Sequence, residues 1–234
     1  MAKAPKSEIP HLKQTFKVNN LRLTNRQKEF LSIALDDSTK IMFISGPAGS
    51  TKTYMAVYAA LRYLSADSEL DMLYVRTAIE SAEKGLGALP GGIEEKFNPY
   101  MAPLEDKLLE MLSLKTTDRV ELLEKGRIQA MPINYLRGAS WKDKIVVADE
   151  AQNFTFKELV TLITRLGENS TLFVSGDFMQ SDINGRSGFR KMCEVFGDEE
   201  SVDKGIHFFQ FSMSDIMRSP LQKYIIKKLS QEKV

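Results

Sequence analysis

Residues 41–53 constrain this chain more than any other stretch. An apolar run, Ile41-Met42-Phe43-Ile44, ends at Ser45 and Gly46, and a loop of small residues follows through Pro47, Ala48, Gly49, Ser50 and Thr51. Lys52-Thr53 then open a helical segment from Tyr54 to Leu61. Strand, tight loop and helix in this order match the pattern G-x-x-x-x-G-K-[ST]. In that pattern backbone N–H groups wrap a phosphate at a helix N-terminus, the lysine reaches the β- and γ-phosphates, and the hydroxyl holds Mg²⁺. Every element is present except the second glycine, whose place Thr51 takes. The segment Gly46–Tyr54 is therefore expected to bind a nucleoside triphosphate, with Thr53 on the metal.

The rest of the composition narrows the setting. At 234 residues the chain is long enough for a proper hydrophobic core, as one domain or one domain with an insertion. Lys plus Arg (32) nearly balances Asp plus Glu (31), so nucleic-acid contact would need a local patch rather than a global basic excess. The one cysteine, Cys193, excludes an internal disulfide framework and fits a reducing cytoplasm. Its neighbours Phe189, Met192 and Val195 favour a buried structural thiol. His11 and His207 are too few for a metal cluster, and no apolar run reaches the ~20 residues of a membrane span. The N-terminus lacks the apolar core of a signal peptide. Residues 1–20 read as a flexible polar arm, and a cytoplasmic location, a host cytoplasm if the chain is phage-encoded, is expected.

Along 21–234 the pattern is one α/β domain. Thr24-Asn25-Arg26-Gln27 has capping-box spacing before a helix to Leu35. Strands are expected at 41–45, 70–75, 144–149, 171–175 and 206–210, with short extended pieces at 127–131 and 133–136. Helices are expected at about 155–166 and from Pro220, and a loop and helical insertion at about 80–126. Short strands apolar on both faces, alternating with helices, predict a mainly parallel sheet flanked by helices. Ligands in such sheets sit at the carboxyl ends of strands. Gly46, Asp149 and Gly176 all fall there.

Asp149-Glu150 ends the strand Ile145–Ala148. Mg²⁺ beside a phosphate loop takes one or two carboxylates, so Asp149 suits the metal, directly or through water, and Glu150 suits a general base on the attacking water. Helix capping is the alternative for this pair. Gln180, in Ser175-Gly176-Asp177-Phe178-Met179-Gln180, suits a γ-phosphate sensor or an amide that orients water. Gln27 suits adenine edge atoms, or is an exposed helical amide.

These residues, in this order, resemble the RecA-like ATPase core of superfamily 1 helicases, and more closely the PhoH-like proteins of the short single-domain kind found in phages. The resemblance runs from about Leu21 to the C-terminus. It rests on Gly46–Gly49, Lys52-Thr53-Tyr54, Val75-Arg76-Thr77-Ala78, Glu83-Lys84-Gly85 with Gly87 and Pro90-Gly91, Lys96–Tyr100, Pro103-Leu104 and Tyr135–Gly138. It continues through Asp149–Asn153, Leu162–Gly167, Gly176-Asp177 with Gln180 and Asp182, and Asp215–Arg218 before Pro220. It implies a RecA-like P-loop NTPase fold, ATP and Mg²⁺ as cofactors, ATP hydrolysis, an RNA-helicase-like activity on single-stranded RNA or DNA, and ring-shaped homo-oligomers, with a hexamer favoured. By the same resemblance Lys52, Thr53 and Asp149 hold phosphate and metal, Glu150 activates water, Gln180 senses the γ-phosphate, and Gln27 lies at the base. Arg218 takes the place of the arginine that touches the γ-phosphate. Thr51 departs from the family's glycine; Thr77 and Ser219 depart from its usual Pro and His.

Two functions follow from different classes. One is an ATPase that works on single-stranded nucleic acid; the other is a weakly hydrolysing nucleotide switch or scaffold for a protein partner. A nucleic-acid track is expected from Arg76, Lys84, Arg127, Arg137 and Lys142, with Tyr100, Tyr135 or Trp141 stacking bases.

Overall fold

The computed structural model describes residues 16–77, 104–112, 126–136, 140–180, 183 and 185–229. Most of the expected insertion, 80–103 and 113–125, lies outside these, as do Lys84, Tyr100 and Arg137. Six strands make one sheet: β1 (Ile41–Ser45), β2 (Asp71–Arg76), β3 (Ile128–Pro132), β4 (Lys144–Ala148), β5 (Thr171–Gly176) and β6 (Ile206–Gln210). Their order is β3-β2-β4-β5-β1-β6, and every pairing is parallel. The α/β class and parallel sheet read from the sequence are what forms.

The interior strands β1, β4 and β5 are buried on both faces because their apolar runs leave no polar alternation. On one face pack α1 (Asn25–Ala34), α2 (Lys52–Ala66) and α3 (104–111). Phe30, Met55, Tyr58, Leu61, Leu104, Leu108 and Met111 meet Met42, Ile44, Met72, Ile145 and Phe173 there. On the other face α4 (Phe156–Ile163) and α5 (Phe189–Val195) cover Phe43, Val75, Val146, Leu172 and Val174. Further helices are α6 (Glu199–Asp203) and α7 (Pro220–Leu229). The Thr24 capping box forms as its spacing requires, with Gln27 N–H on Thr24 Oγ1 and Thr24 N–H on Gln27 Oε1.

Four expectations need correction. Residues 16–20 are not free arm. Phe16 is buried in the core, its carbonyl accepts from Ser65, and Asn19 N–H bonds Met111 O, so the apolar side chain and paired backbone pin the segment. Residues 133–135 form a 3-10 turn after Pro132 rather than an extended piece, since Leu136 N–H closes back on Ile133 O. Arg127 does not face a ligand: it is 2% exposed and donates to the carbonyls of Leu64, Asp67 and Leu70, tying the end of α2 to β2. Trp141 is also buried and cannot stack a base.

Cys193 is partly buried among the residues packed on α5, and burial pushes its thiol pKa up to about 12. That leaves it protonated and unreactive at neutral pH.

Candidate nucleotide site

The register explains why the site lies where it does. Ser45 at the end of β1 pairs with Gly176 of β5 and Gln210 of β6, while Val75 of β2 pairs with Ala148 of β4. The loops leaving these strands therefore emerge along one edge. They enclose a cleft of about 300 Å³ lined by Ala48, Gly49, Thr51, Lys52, Thr53 and Tyr54 of the first loop. Asp149, Glu150, Asp177 and Gln180 line it from the loops after β4 and β5. Arg76, Lys107 and Arg218 complete the wall.

Two glycines in the first loop are there for space and backbone sign. Gly46 has φ +155°, and a Cβ on it would meet Phe211 O and Ser50 Oγ at 2.8 Å. Gly49 has φ +77°, and a Cβ would stand 2.7 Å from Arg218 Nε. Thr51 is the exception. It has φ +68° and ψ 15° immediately before α2, the left-handed conformation that suits the glycine it replaces. Its hydroxyl accepts from Gln27 Nε2 at 3.1 Å, and Gln27 is itself buried. Gln27 thus reaches the loop rather than standing exposed on α1, and both ends of its amide are engaged with the protein.

Lys52 folds over the loop, donating from Nζ to Gly46 O (2.6 Å) and Pro47 O (3.0 Å). Burial lowers its pKa, against the pull of Asp177, Glu150 and Asp149. Thr53 Oγ1 donates to Asp149 Oδ1 at 2.6 Å, and Ser175 Oγ donates to the same oxygen at 3.0 Å. Tyr74 Oη donates to Asp149 Oδ2. Desolvation raises the Tyr74 pKa, with Asp149 adding to it, so the phenol stays a donor. Three hydroxyls from three elements thus fix one buried carboxylate against the loop. A hydroxyl and a carboxylate oxygen side by side form the hard-oxygen set that suits Mg²⁺, which completes its coordination with phosphate oxygens and water. Among the described residues no group of three or more His, Cys, Asp or Glu is arranged to hold a metal ion.

Glu150 takes φ +55°, a left-handed conformation costly for a side chain with a Cβ, at the head of the turn Ala151–Asn153. Gln152 Nε2 bonds its carboxylate, and Gln152 Oε1 accepts Asp177 N–H at 2.9 Å, linking the loops after β4 and β5. Arg76 stands 3.8 Å from Asp149 and 3.7 Å from Glu150. It lines the cleft beside these two carboxylates. On the far side, Met217 N–H bonds Gly49 O (3.1 Å), which carries Arg218 across the loop. Asp215 accepts instead from Ser212 N–H and Oγ–H. Arg218 is therefore delivered by its own chain. Gln180 is exposed at the mouth.

The structure brings the expected loop residues, Asp149, Glu150, Gln180 and Arg218 to one edge; Gly46, Pro47 and Ser50 build the loop, and Gln27 braces it from α1. Tyr74, Ser175, Gln152 and Lys107 had no assigned place in it. Tyr74 and Ser175 looked like strand residues, and only parallel pairing puts them beside Asp149.

A family model described as "PhoH-like protein" matches residues 21–230. The chain belongs to the PhoH-like family. A "PhoH-like protein" of Mycobacterium tuberculosis (strain ATCC 25618 / H37Rv) is 36% identical over 205 residues, covering 87% of this chain and 56% of that protein. One of Bacillus subtilis (strain 168) is 35% identical over 211 residues, covering 89% and 63%. "Protein PhoH" of Escherichia coli (strain K12) is 35% identical over 187 residues, covering 79% and 51%. This PhoH-like chain thus spans between about half and two thirds of the length of these relatives. Among solved structures, Pif1 helicase from Candida albicans aligns with a TM-score of 0.41 at 14% identity, covering 82% of this chain and 40% of that one. The loop and the parallel sheet give this chain the P-loop fold. No helix of the described residues is long and apolar enough to cross a membrane.

Proposed function

We propose that this chain binds ATP in the cleft at the end of β1 and hydrolyses it. The observation that carries the reading is Asp149, held by Thr53, Ser175 and Tyr74 one residue before a carboxylate that lines the cleft, Glu150. The loop amides and Lys52 would take the β- and γ-phosphates, Lys52 exchanging its carbonyl partners for phosphate oxygens. Mg²⁺, where bound through Thr53 and Asp149, would neutralise phosphate charge. Glu150 would accept a proton from the attacking water, its carboxylate oriented by Gln152 and Arg76. Gln180, at the mouth, would meet the water or the γ-phosphate, and Arg218 would stabilise charge developing there.

The finer parts of the proposal are coupling to single-stranded RNA or DNA in the manner of a helicase, and assembly into a ring, with a hexamer favoured. Coupling is supported by the order of motifs that resembles superfamily 1 cores. Assembly is supported by α7, on which Leu221, Tyr224, Ile225 and Leu229 are all exposed. A nucleotide-dependent switch or scaffold acting on a protein partner is the second reading, favoured by the left-handed Thr51 in the loop. ATP turnover measured with and without single-stranded RNA and DNA separates them. Stimulation supports the motor, and a slow rate indifferent to both supports the switch.

A further inference from the structure

Lys107 belongs to none of the motifs above, yet it lines the nucleotide cleft. It sits on α3, in the segment between β2 and β3, and what places it there is packing. Leu104, Leu108 and Met111 are at most 1% exposed and form the apolar stripe that seats α3 on the core. Lys107 is three residues after Leu104 and four before Met111, so it flanks that stripe at the rim. The helix is also held at its far end: Tyr54 Oη, on α2 directly after the phosphate loop, donates to Glu110 at 3.0 Å, and Asn19 N–H bonds Met111 O. The helix that follows the phosphate loop is thus tied directly to α3.

Lys107 shares the cleft wall with Arg76, Asp149 and Glu150. Burial lowers its pKa, so the ammonium is not simply solvated, and among the charges that act on it Asp149 comes first, followed by Arg76, Asp106 and Glu150. The sheet order puts β2 and β4 on one side of β1 and β6 on the other. Lys107 and Arg76 therefore bound the site from the β2–β4 side, while Arg218 crosses Gly49 from the β6 side. The cleft wall carries four cations, Lys52, Arg76, Lys107 and Arg218, against three carboxylates, Asp149, Glu150 and Asp177. Arg76 is committed to two of those carboxylates.

We propose that Lys107 contacts the γ-phosphate of the bound nucleotide, closing the phosphate site from the side opposite Arg218. The assignment rests on the nucleotide reading above. The loop amides account for the inner phosphates, whereas the space beside Asp149 and Glu150 is where the terminal phosphate and the attacking water meet. A lysine on a four-carbon stem has the reach and the point charge to follow that phosphate. Its loss is thus felt by a triphosphate and not by a diphosphate.

The test compares affinities of the full chain for ADP and for the non-hydrolysable β,γ-imido analogue of ATP, both with Mg²⁺, by calorimetry. Lys107→Gln is expected to weaken the triphosphate analogue about tenfold and ADP by less than about twofold, and Lys107→Arg to stay near the parent. Comparing two ligands within one protein keeps the result readable if the variant folds less completely, because a smaller active fraction affects both alike. Equal loss for both ligands, or no loss for either, overturns the assignment. A parent protein that binds neither ligand removes the nucleotide reading itself, and this one with it.

Discussion

Gln27 Nε2 donates to Thr51 Oγ1 across 3.1 Å, so a buried amide from the first helix holds the one phosphate-loop residue that departs from glycine. At φ +68° a β-branched residue is strained by about 1–3 kcal/mol, and the hydrogen bond offsets about 1 kcal/mol of that. Thr51→Gly is expected to tighten ATP binding or raise turnover. Gln27→Ala should weaken binding in the parent and do little in the Thr51→Gly background. Side-by-side ATP titrations of the four proteins decide it; equal dissociation constants for parent and Thr51→Gly would mean the loop is adapted to threonine.

Lys52→Ala should abolish nucleotide binding. Among the described residues Lys52 caps the carbonyls of Gly46 and Pro47 with no other hydrogen bond that braces the fold, so the melting temperature should change little. A variant that loses stability and binding together would make Lys52 a structural brace.

Arg218→Ala should lower turnover by a large factor, in the range of roughly 10³–10⁵ known for such arginines, while leaving ATP affinity near the parent value. Because Met217 N–H bonds Gly49 O and Arg218 lies against Gly49 of its own chain, mixing Arg218→Ala with Glu150→Gln protein should give no rescue. Recovered activity in the mixture would instead place the arginine between subunits.

Alkaline pH should weaken nucleotide binding before the ordinary lysine range near ~10.4 is reached. Burial lowers the Lys52 pKa in the free protein, and a bound phosphate raises it again. The complex therefore holds more protons than the free protein in that window, so affinity falls as pH rises through the free-state value. Calorimetry in buffers of different ionisation enthalpy should show proton uptake on binding; proton release would contradict it.

The phosphate loop, the acidic pair and five of the strands were legible in the sequence because each is a local pattern: a short apolar run bounded by glycine, charged or polar residues. The capping box at Thr24 was legible for the same reason. What was not legible depends on pairing between distant segments. Tyr74 reads as a buried strand residue until β2 lies beside β4 and turns its hydroxyl toward Asp149. Arg76 and Arg127 look alike as cations next to strands, but one ends in the cleft and the other under the end of α2. Lys107 carries no signal except its place beside the stripe of Leu104, Leu108 and Met111, and that stripe gains meaning only once α3 has docked.

The most direct test of the account is ATP binding and turnover by the parent and by Glu150→Gln, measured on the same preparations. The amide keeps the shape and the contact with Gln152 but cannot accept a proton. The account predicts that the parent hydrolyses Mg-ATP and that Glu150→Gln binds it with parental affinity and does not turn it over. Turnover by Glu150→Gln at the parent rate would contradict it.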